Sequence, residues 1–224
     1  MVLGGFGELA LALVVFLGSH AVAGLPGARS RLVSALGERV YLVAYSLLSL
    51  GLVGWVISAA LRAPYLELWP PQSWVAYLLV GGMPIVSILW TASLIEANPF
   101  SLSFNRRAFD PQRPGLAGLV RHPLFAGMAL WAAGHVLANG DLAGLLVFGP
   151  MLVLSLLGPR IARRKAARRH GAERLAQWER AMATVPLSQK LPTGRTVLYG
   201  LLLYFALLRL HGPLFGIDPA ALVG

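Results

Sequence analysis

The chain has 224 residues, of which 57% are hydrophobic and only 12% charged, and its mean hydropathy is +0.68. A soluble globular domain carries about 25% charged residues, so this composition excludes that class and indicates an integral membrane protein. The formal charge of +10 would suggest a nucleic-acid partner in a soluble chain, but most basic residues here lie in short segments between apolar runs, where they set topology. We therefore expect the lipid bilayer as a partner and no nucleic acid. Because there is no cysteine, disulfides, thiolate metal sites and cysteine nucleophiles are excluded.

Six apolar runs come close to the roughly 20 residues that a helix needs to cross the hydrocarbon core. The first has no preceding Lys or Arg and is longer than the apolar region of a signal peptide, so we expect it to be retained as a span. The sequence predicts an all-α fold, a polytopic membrane helical bundle of about six transmembrane helices, in a single domain over residues 1–224. The predicted spans are 2–24, 40–61, 74–97, 123–138, 142–158 and 197–215.

The fourth and fifth runs are separated only by Asn139-Gly140-Asp141. This turn signal predicts an antiparallel helical hairpin. Asp141 precedes the fifth run, where an acidic side chain can cap free backbone N–H groups.

The basic residues predict the orientation in the membrane. Of the 19 Lys and Arg residues, 17 lie in the segments 25–39, 98–122 and 159–196, which alternate with the spans on one side. The other two are Arg62, between spans, and Arg209, inside the last span. Under the positive-inside rule the three basic segments are cytoplasmic and both termini are periplasmic.

The segment 160–183 is predicted to be one basic cytoplasmic helix that extends from the fifth span. Its Lys and Arg residues suit anionic headgroups, and we assign His170 to the same face. Leu191-Pro192-Thr193-Gly194 then interrupts the chain before the last span.

Four histidines lie within or beside the apolar runs, where an ionisable side chain is costly unless it has a partner. His20 and His122 are predicted near the cytoplasmic side. His135 follows His122 by 13 residues, or about 20 Å along a helix, so it is predicted near the outer side together with His211. Two histidines that ligate one haem iron must lie at similar depth. The predicted depths therefore allow two candidate pairs, an inner pair of His20 with His122 and an outer pair of His135 with His211. A zinc site is less favoured because zinc needs three or four protein ligands.

Acidic residues are few in the apolar runs. Glu8 lies in the first, where an unpaired carboxylate is costly, so we expect it to be neutral, paired or interfacial. Glu38 begins the second run and Glu96 ends the third beside Asn98. We favour structural over functional roles for these carboxylates.

Several separated motifs agree in order and spacing with one family. They are Gly18-Ser19-His20, Leu36-Gly37-Glu38-Arg39-Val40-Tyr41, Tyr45-Ser46-Leu47, Arg121-His122-Pro123, Gly127, Trp131, His135 and Asn139-Gly140-Asp141. With these motifs, residues 11–157 resemble the NnrU family of bacterial polytopic membrane proteins, which is associated with nitrite and nitric-oxide metabolism. Its relative in plants and cyanobacteria is 15-cis-zeta-carotene isomerase, a haem b membrane protein that isomerises one double bond of a polyene.

This resemblance implies haem b as the cofactor, with His20 and His122 as the iron ligands and His135 as a further, catalytic histidine. Which ligand is exchangeable stays open. It also implies a hydrophobic small molecule as substrate, and the bacterial inner membrane as the location. The implied function is redox-linked, either isomerisation of a polyene or a role in nitric-oxide metabolism.

Two other classes stay open. Arg121-His122-Pro123 and the run Gly171, Glu173, Trp178 and Val185-Pro186 are similar to isoprenylcysteine and phospholipid methyltransferases, which use S-adenosylmethionine. Those enzymes carry adjacent glutamates upstream of that run, whereas residues 163–169 here contain no acidic residue. The third class is a non-catalytic membrane component, in which the histidines would be dispensable.

Overall fold

A computed structural model describes residues 5–105 and 107–223. The described residues form helices and contain no strand beyond an isolated bridge between Glu67 and Asp141. This confirms the predicted all-α fold. The helices are α1 (Gly7–Gly24), α2 (Pro26–Leu36), α3 (Glu38–Arg62), α4 (Ser73–Ile95), α5 (Pro123–Asn139), α6 (Leu142–His170), α7 (Ala172–Ala183) and α8 (Gly194–Phe215).

The number of helices long and apolar enough to span a membrane is lower than the predicted six. Among the described residues α3, α4, α6 and α8 meet this condition, and α1 with α2 makes a fifth if this pair, bent by 81°, is counted as one span. The predicted span at 123–138 does form a helix, α5. Its 17 residues extend about 25 Å, which is at the lower end of the length that crosses the roughly 30 Å hydrocarbon core, so it is not counted among these helices.

Apolar side chains cover much of the outside of these helices. On α3, Leu47 and Leu50 are 65% and 67% exposed. A soluble protein rarely exposes such continuous apolar surface, so these faces lie against lipid in a multi-pass membrane protein.

The first of two compact units comprises Met1–Trp69 and Gly140–Val147. In it α1 packs against α3, with Leu9 and Ala12 contacting a core that includes Val56 and Ala143. Glu8, at the start of α1, accepts hydrogen bonds from Arg62 at 2.6 Å and from Trp55 at 3.1 Å. The two helices are therefore antiparallel, and of the three expected states of Glu8, neutral, paired or interfacial, the structure shows the paired one.

In two connections of this unit, a single residue ends or begins a helix. The segment 25–39, predicted only as a basic connection, contains helix α2, which ends at Gly37 with a φ of 78°. At the start of α6, Asp141 Oδ1 accepts a hydrogen bond from Gly144 N at 2.7 Å, which confirms its predicted capping role.

The second unit comprises Pro70–Asn139 and Phe148–Gly224. Here α4 packs between α5 and α8. Glycines allow the close approach: a Cβ at Gly127 of α5 would be 2.7 Å from the Trp90 ring, and one at Gly200 of α8 would be 2.8 Å from Ile88 Cα. Small residues at helix contacts are typical of membrane helix packing.

Helices α5 and α6 run antiparallel in this unit, as the hairpin prediction requires. Phe125 near the start of α5 contacts Gly158 late in α6, whereas His135 near the end of α5 contacts Phe148 early in α6. The predicted single helix over 160–183 is wrong in one respect. The segment is divided at Gly171 into the end of α6 and the helix α7. The φ of Gly171 is 84°, and a residue with a positive φ cannot continue a right-handed helix.

Candidate functional site

The end of α4 is held by the carboxylate of Glu96. Its Oε1 accepts hydrogen bonds from Thr193 N at 3.0 Å and Thr196 Oγ1 at 2.6 Å, and its Oε2 accepts one from Leu116 N at 2.9 Å. Glu96 thus connects α4, the 3-10 turn Gly115–Gly118 and the start of α8, and Thr196 is completely buried. Gly115 is required beside it, since its φ is +55° and a Cβ there would be 2.7 Å from Oε2.

Asn98 positions the entry to α5. Its Nδ2 donates to the carbonyl oxygen of Arg121 at 3.0 Å, and its Oδ1 accepts from Phe100 N at 2.9 Å. The side chain of Arg121 pairs with Glu179 of α7 at 3.5 Å, and Arg163 of α6 reaches the same carboxylate at 3.5 Å. These contacts fix the segment that carries His122.

His122 lines a cavity of about 280 Å³ between the start of α5 and the second half of α6. Its Nδ1 is buried and has no hydrogen-bond partner in the part of the chain that the structure describes. Burial, and then the nearby charges of Arg121 and Arg163, lower the pKa of His122 below its usual value, which favours the neutral ring. The cavity is otherwise mostly apolar, lined among others by Phe125, Ala129, Leu156 and Pro159.

His135 and His211 form a second imidazole group in the same unit, with ring centroids 6.5 Å apart. The Nδ1 of His135 lies 2.8 Å from the Trp131 carbonyl oxygen, and that of His211 lies 2.8 Å from the Ile217 carbonyl oxygen. Because a carbonyl only accepts, both Nδ1 atoms carry hydrogen and both Nε2 atoms keep a lone pair when the rings are neutral. The structure thus brings together the outer pair that depth had left open.

His20 lies in the first unit, near the end of α1. Its Nδ1 donates to the Phe16 carbonyl oxygen at 2.9 Å, and its Nε2 accepts from Ser49 Oγ at 3.1 Å. The rings of Phe16 and Tyr45 contact the imidazole at centroid distances of 4.5 and 5.6 Å. The imidazole is therefore fixed in one tautomer, with a hydroxyl as the partner of its Nε2.

The described residues contain no cluster of three or more His, Asp or Glu side chains that could hold a metal ion. Any metal centre built from them would draw at most two ligands from one place. Two histidine ligands suffice for a haem iron, whose other four ligands come from the porphyrin, but not for a structural zinc ion.

The sequence model of the family described as "NnrU protein" matches residues 8–219, which is nearly the whole chain. The chain belongs to the NnrU family. No curated protein and no solved structure matches the chain. NnrU membership confirms the resemblance drawn from the histidine motifs and extends it beyond residues 11–157 through α7 and α8.

Sequence reasoning missed one polar centre of this NnrU protein. Glu96 was interpreted only as the end of a span, although it joins three segments. Its partners Thr193 and Thr196 have the spacing of an N-cap residue and the third residue of the helix. This spacing predicts the start of α8, but it does not predict that the Glu96 carboxylate binds there.

Proposed function

We propose that this NnrU-family protein is a haem b-binding membrane protein with His20 and His122 as the axial ligands. Its role would be redox-linked, such as cis–trans isomerisation of a polyene or a step in nitrite or nitric-oxide metabolism. When bound, haem would supply a redox-active iron with a coordination position that can open.

The observation that carries this proposal is the setting of His20. A histidine that ligates a metal through Nε2 almost always donates its Nδ1–H to a carbonyl or carboxylate, which fixes the ring and raises its basicity. His20 has this arrangement with the Phe16 carbonyl, and its Nε2 accepts a hydrogen bond from the Ser49 hydroxyl, a partner that a metal ion can displace. These features fit an iron ligand.

His122 supports the proposal in a different way. It lines an apolar cavity and its buried Nδ1 has no partner among the described residues, which is unusual because buried polar atoms are nearly always hydrogen-bonded. An unpaired atom of this kind at a cavity wall indicates a group that acquires its partner with a ligand. The ion pair between Arg121 and Glu179 would keep the segment that carries His122 in position when the ligand binds.

His135 is proposed as a catalytic histidine in a second polar site, paired with His211. Both rings are held by backbone carbonyls, so each can accept a proton or a hydrogen bond at Nε2 without moving. Trp131 and Phe148 pack on His135 at centroid distances of 4.9 and 4.8 Å, an environment suited to a hydrophobic small molecule.

The location is part of the proposal. The 17 basic residues in alternate segments support a bacterial inner membrane with both termini periplasmic. Fusing a reporter that is active only in the periplasm after residue 223, and another after residue 71, should give activity in both cases. Activity of a cytoplasmic reporter at these positions would contradict this orientation.

The experiment that tests haem binding is the visible spectrum of the detergent-purified protein, oxidised and then reduced with dithionite. We expect a Soret band that sharpens on reduction with split α and β bands, and its alteration in His20→Ala and in His122→Ala. His170→Ala is the matched control, because His170 lies at the end of α6 beside Trp178, away from the His122 cavity.

Absence of haem after reconstitution would overturn the proposal. The methyltransferase class would then predict saturable binding of S-adenosylmethionine, and the non-catalytic class would predict that His20, His122 and His135 can be replaced together without loss of function.

A further inference from the structure

A second cavity, of about 520 Å³, lies where the segment after α4 meets the junction of α6 and α7. It belongs to the second unit and shares no lining residue with the His122 cavity. We name it the arginine cavity for its principal lining residues, Arg107, Arg169, Arg174, His170, Phe109 and Trp178.

The charge of the arginine cavity is not compensated. No Asp or Glu is among its lining residues. Within residues 5–105 and 107–223, the carboxylates that form ion pairs do so with other arginines, and none lies within 4.0 Å of Arg107, Arg169 or Arg174. Three arginines that line one cavity with no carboxylate among the described lining residues attract an anion and repel a cation.

The wall of the cavity is fixed by hydrogen bonds. Asn105 Oδ1 accepts from Arg107 N at 3.0 Å, and its Nδ2 donates to the Ile95 carbonyl oxygen at 2.8 Å. Ser103 Oγ donates to the Glu96 carbonyl oxygen. In contrast, Ser101 Oγ, also in the lining, is buried and has no partner among the described residues, so it has a hydrogen bond left for a ligand.

One side of the cavity is aromatic. Trp178 contacts Phe109 at a centroid distance of 5.5 Å and His170 at 5.5 Å, and the guanidinium of Arg174 lies 5.0 Å from the Trp178 ring centroid. This stacking holds Arg174 in place, so less side-chain entropy is lost when it binds a ligand. The site thus combines a cationic half with an apolar half.

We propose that the arginine cavity binds a phosphate-bearing ligand whose apolar or aromatic portion packs against Trp178 and Phe109. Arginine matches phosphate because its planar fork donates two parallel hydrogen bonds to two phosphate oxygens. The ligand is either an anionic phospholipid, through its headgroup, or a soluble phosphate ester. This site is independent of haem and goes beyond the function proposed above.

The test is isothermal titration calorimetry on the full chain in dodecyl maltoside with two probes, phenyl phosphate and dihexanoyl phosphatidylglycerol. The cavity variant is Arg107→Gln/Arg169→Gln/Arg174→Gln. The control is Arg164→Gln/Lys165→Gln/Arg168→Gln, which removes the same charge from exposed positions outside the cavity. We expect at least one probe to bind the wild type, the cavity variant to bind it at least tenfold more weakly, and the control to stay within twofold.

The two probes distinguish the sources. Binding of phosphatidylglycerol but not phenyl phosphate identifies a lipid headgroup, and the reverse identifies a soluble ester. Failure of both probes to bind the wild type overturns the proposal. An equal loss of affinity in the control variant and the cavity variant also overturns it, because the probe would then be attracted by the overall positive charge rather than by the cavity.

A second variant covers the case in which the triple substitution disturbs folding. Ser101→Ala removes one hydroxyl that has no partner in residues 5–105 and 107–223, so it should keep the Tm of the wild type and still lower the affinity for the probe severalfold. Unchanged affinity in Ser101→Ala together with a misfolded triple variant would also contradict the proposal. The haem spectrum should be the same in all these variants, so failure of this site and failure of the haem proposal are distinguishable.

Discussion

The carboxylate of Glu96 accepts a hydrogen bond from the Thr196 hydroxyl at 2.6 Å, although the two residues are 100 positions apart in the chain. Around this contact the end of α4 meets the start of α8 and the 3-10 turn that precedes the His122 segment. The carboxylate of Glu96 therefore joins three segments of the second unit, and one of them leads to His122.

Glu96→Ala should be among the more destabilising single substitutions in the protein. It leaves the buried Thr196 hydroxyl and the Leu116 and Thr193 N–H groups without their acceptor, so we expect a loss of about 2–4 kcal/mol. The measurement is Tm in detergent micelles. Glu173→Gln, at an exposed position of α7, should leave the Tm nearly unchanged. Equal Tm values for Glu96→Ala and the wild type would show that the carboxylate does not join these segments.

Gly200→Ala should disturb the packing of α8 on α4. A Cβ there would be 2.8 Å from Ile88 Cα and 3.0 Å from Ile88 N, and backbone atoms cannot move aside cheaply, so we expect a cost of about 1–3 kcal/mol. Gly212→Ala on the same helix is the control, because its Cβ would approach nothing closer than 3.8 Å. Relative to the wild type, the Tm should therefore fall in Gly200→Ala. In Gly212→Ala it should stay the same or rise slightly, because alanine favours the helix more than glycine does. The same Tm for both would argue against this contact.

Asp141→Ala should weaken the start of α6 by about 1 kcal/mol, because it removes the acceptor for Gly144 N. Asp141→Asn keeps an oxygen in that position and should retain most of the stability. Comparing the Tm of both variants with the wild type tests the cap. An equal loss in the asparagine and alanine variants would point to a role of the charge instead.

The histidine pair has a prediction that needs no activity assay. His135 and His211 should both carry their proton on Nδ1 when neutral, because each Nδ1 lies 2.8 Å from a carbonyl oxygen. The imidazole ¹⁵N chemical shifts of the protein, assigned with His135→Gln and His211→Gln, report this tautomer directly. A protonated Nε2 on either ring would contradict the geometry of that ring.

Local sequence signals predicted several polar contacts of the fold. Asp141 was predicted as a cap and functions as one, since the interaction is made three residues away. Glu8 was expected to be neutral, paired or interfacial, because hydrocarbon penalises an unpaired carboxylate wherever it lies in the fold. The break at Gly171 was missed, although glycine at a helix end is a known signal, because helix-favouring residues such as Ala and Arg continue on both sides of it.

The sequence by itself determined that this is an all-α multi-pass membrane protein of the NnrU family, because apolar run length, basic segments and motif spacing are properties of neighbouring residues. Only the tertiary structure decided that Glu96 joins α4 to α8, that His135 lies beside His211, and that Arg107 converges with Arg169 and Arg174. Those contacts depend on how helices distant in sequence pack. That packing is governed by glycine contacts such as Gly200 on Ile88, whose partner cannot be identified from local sequence.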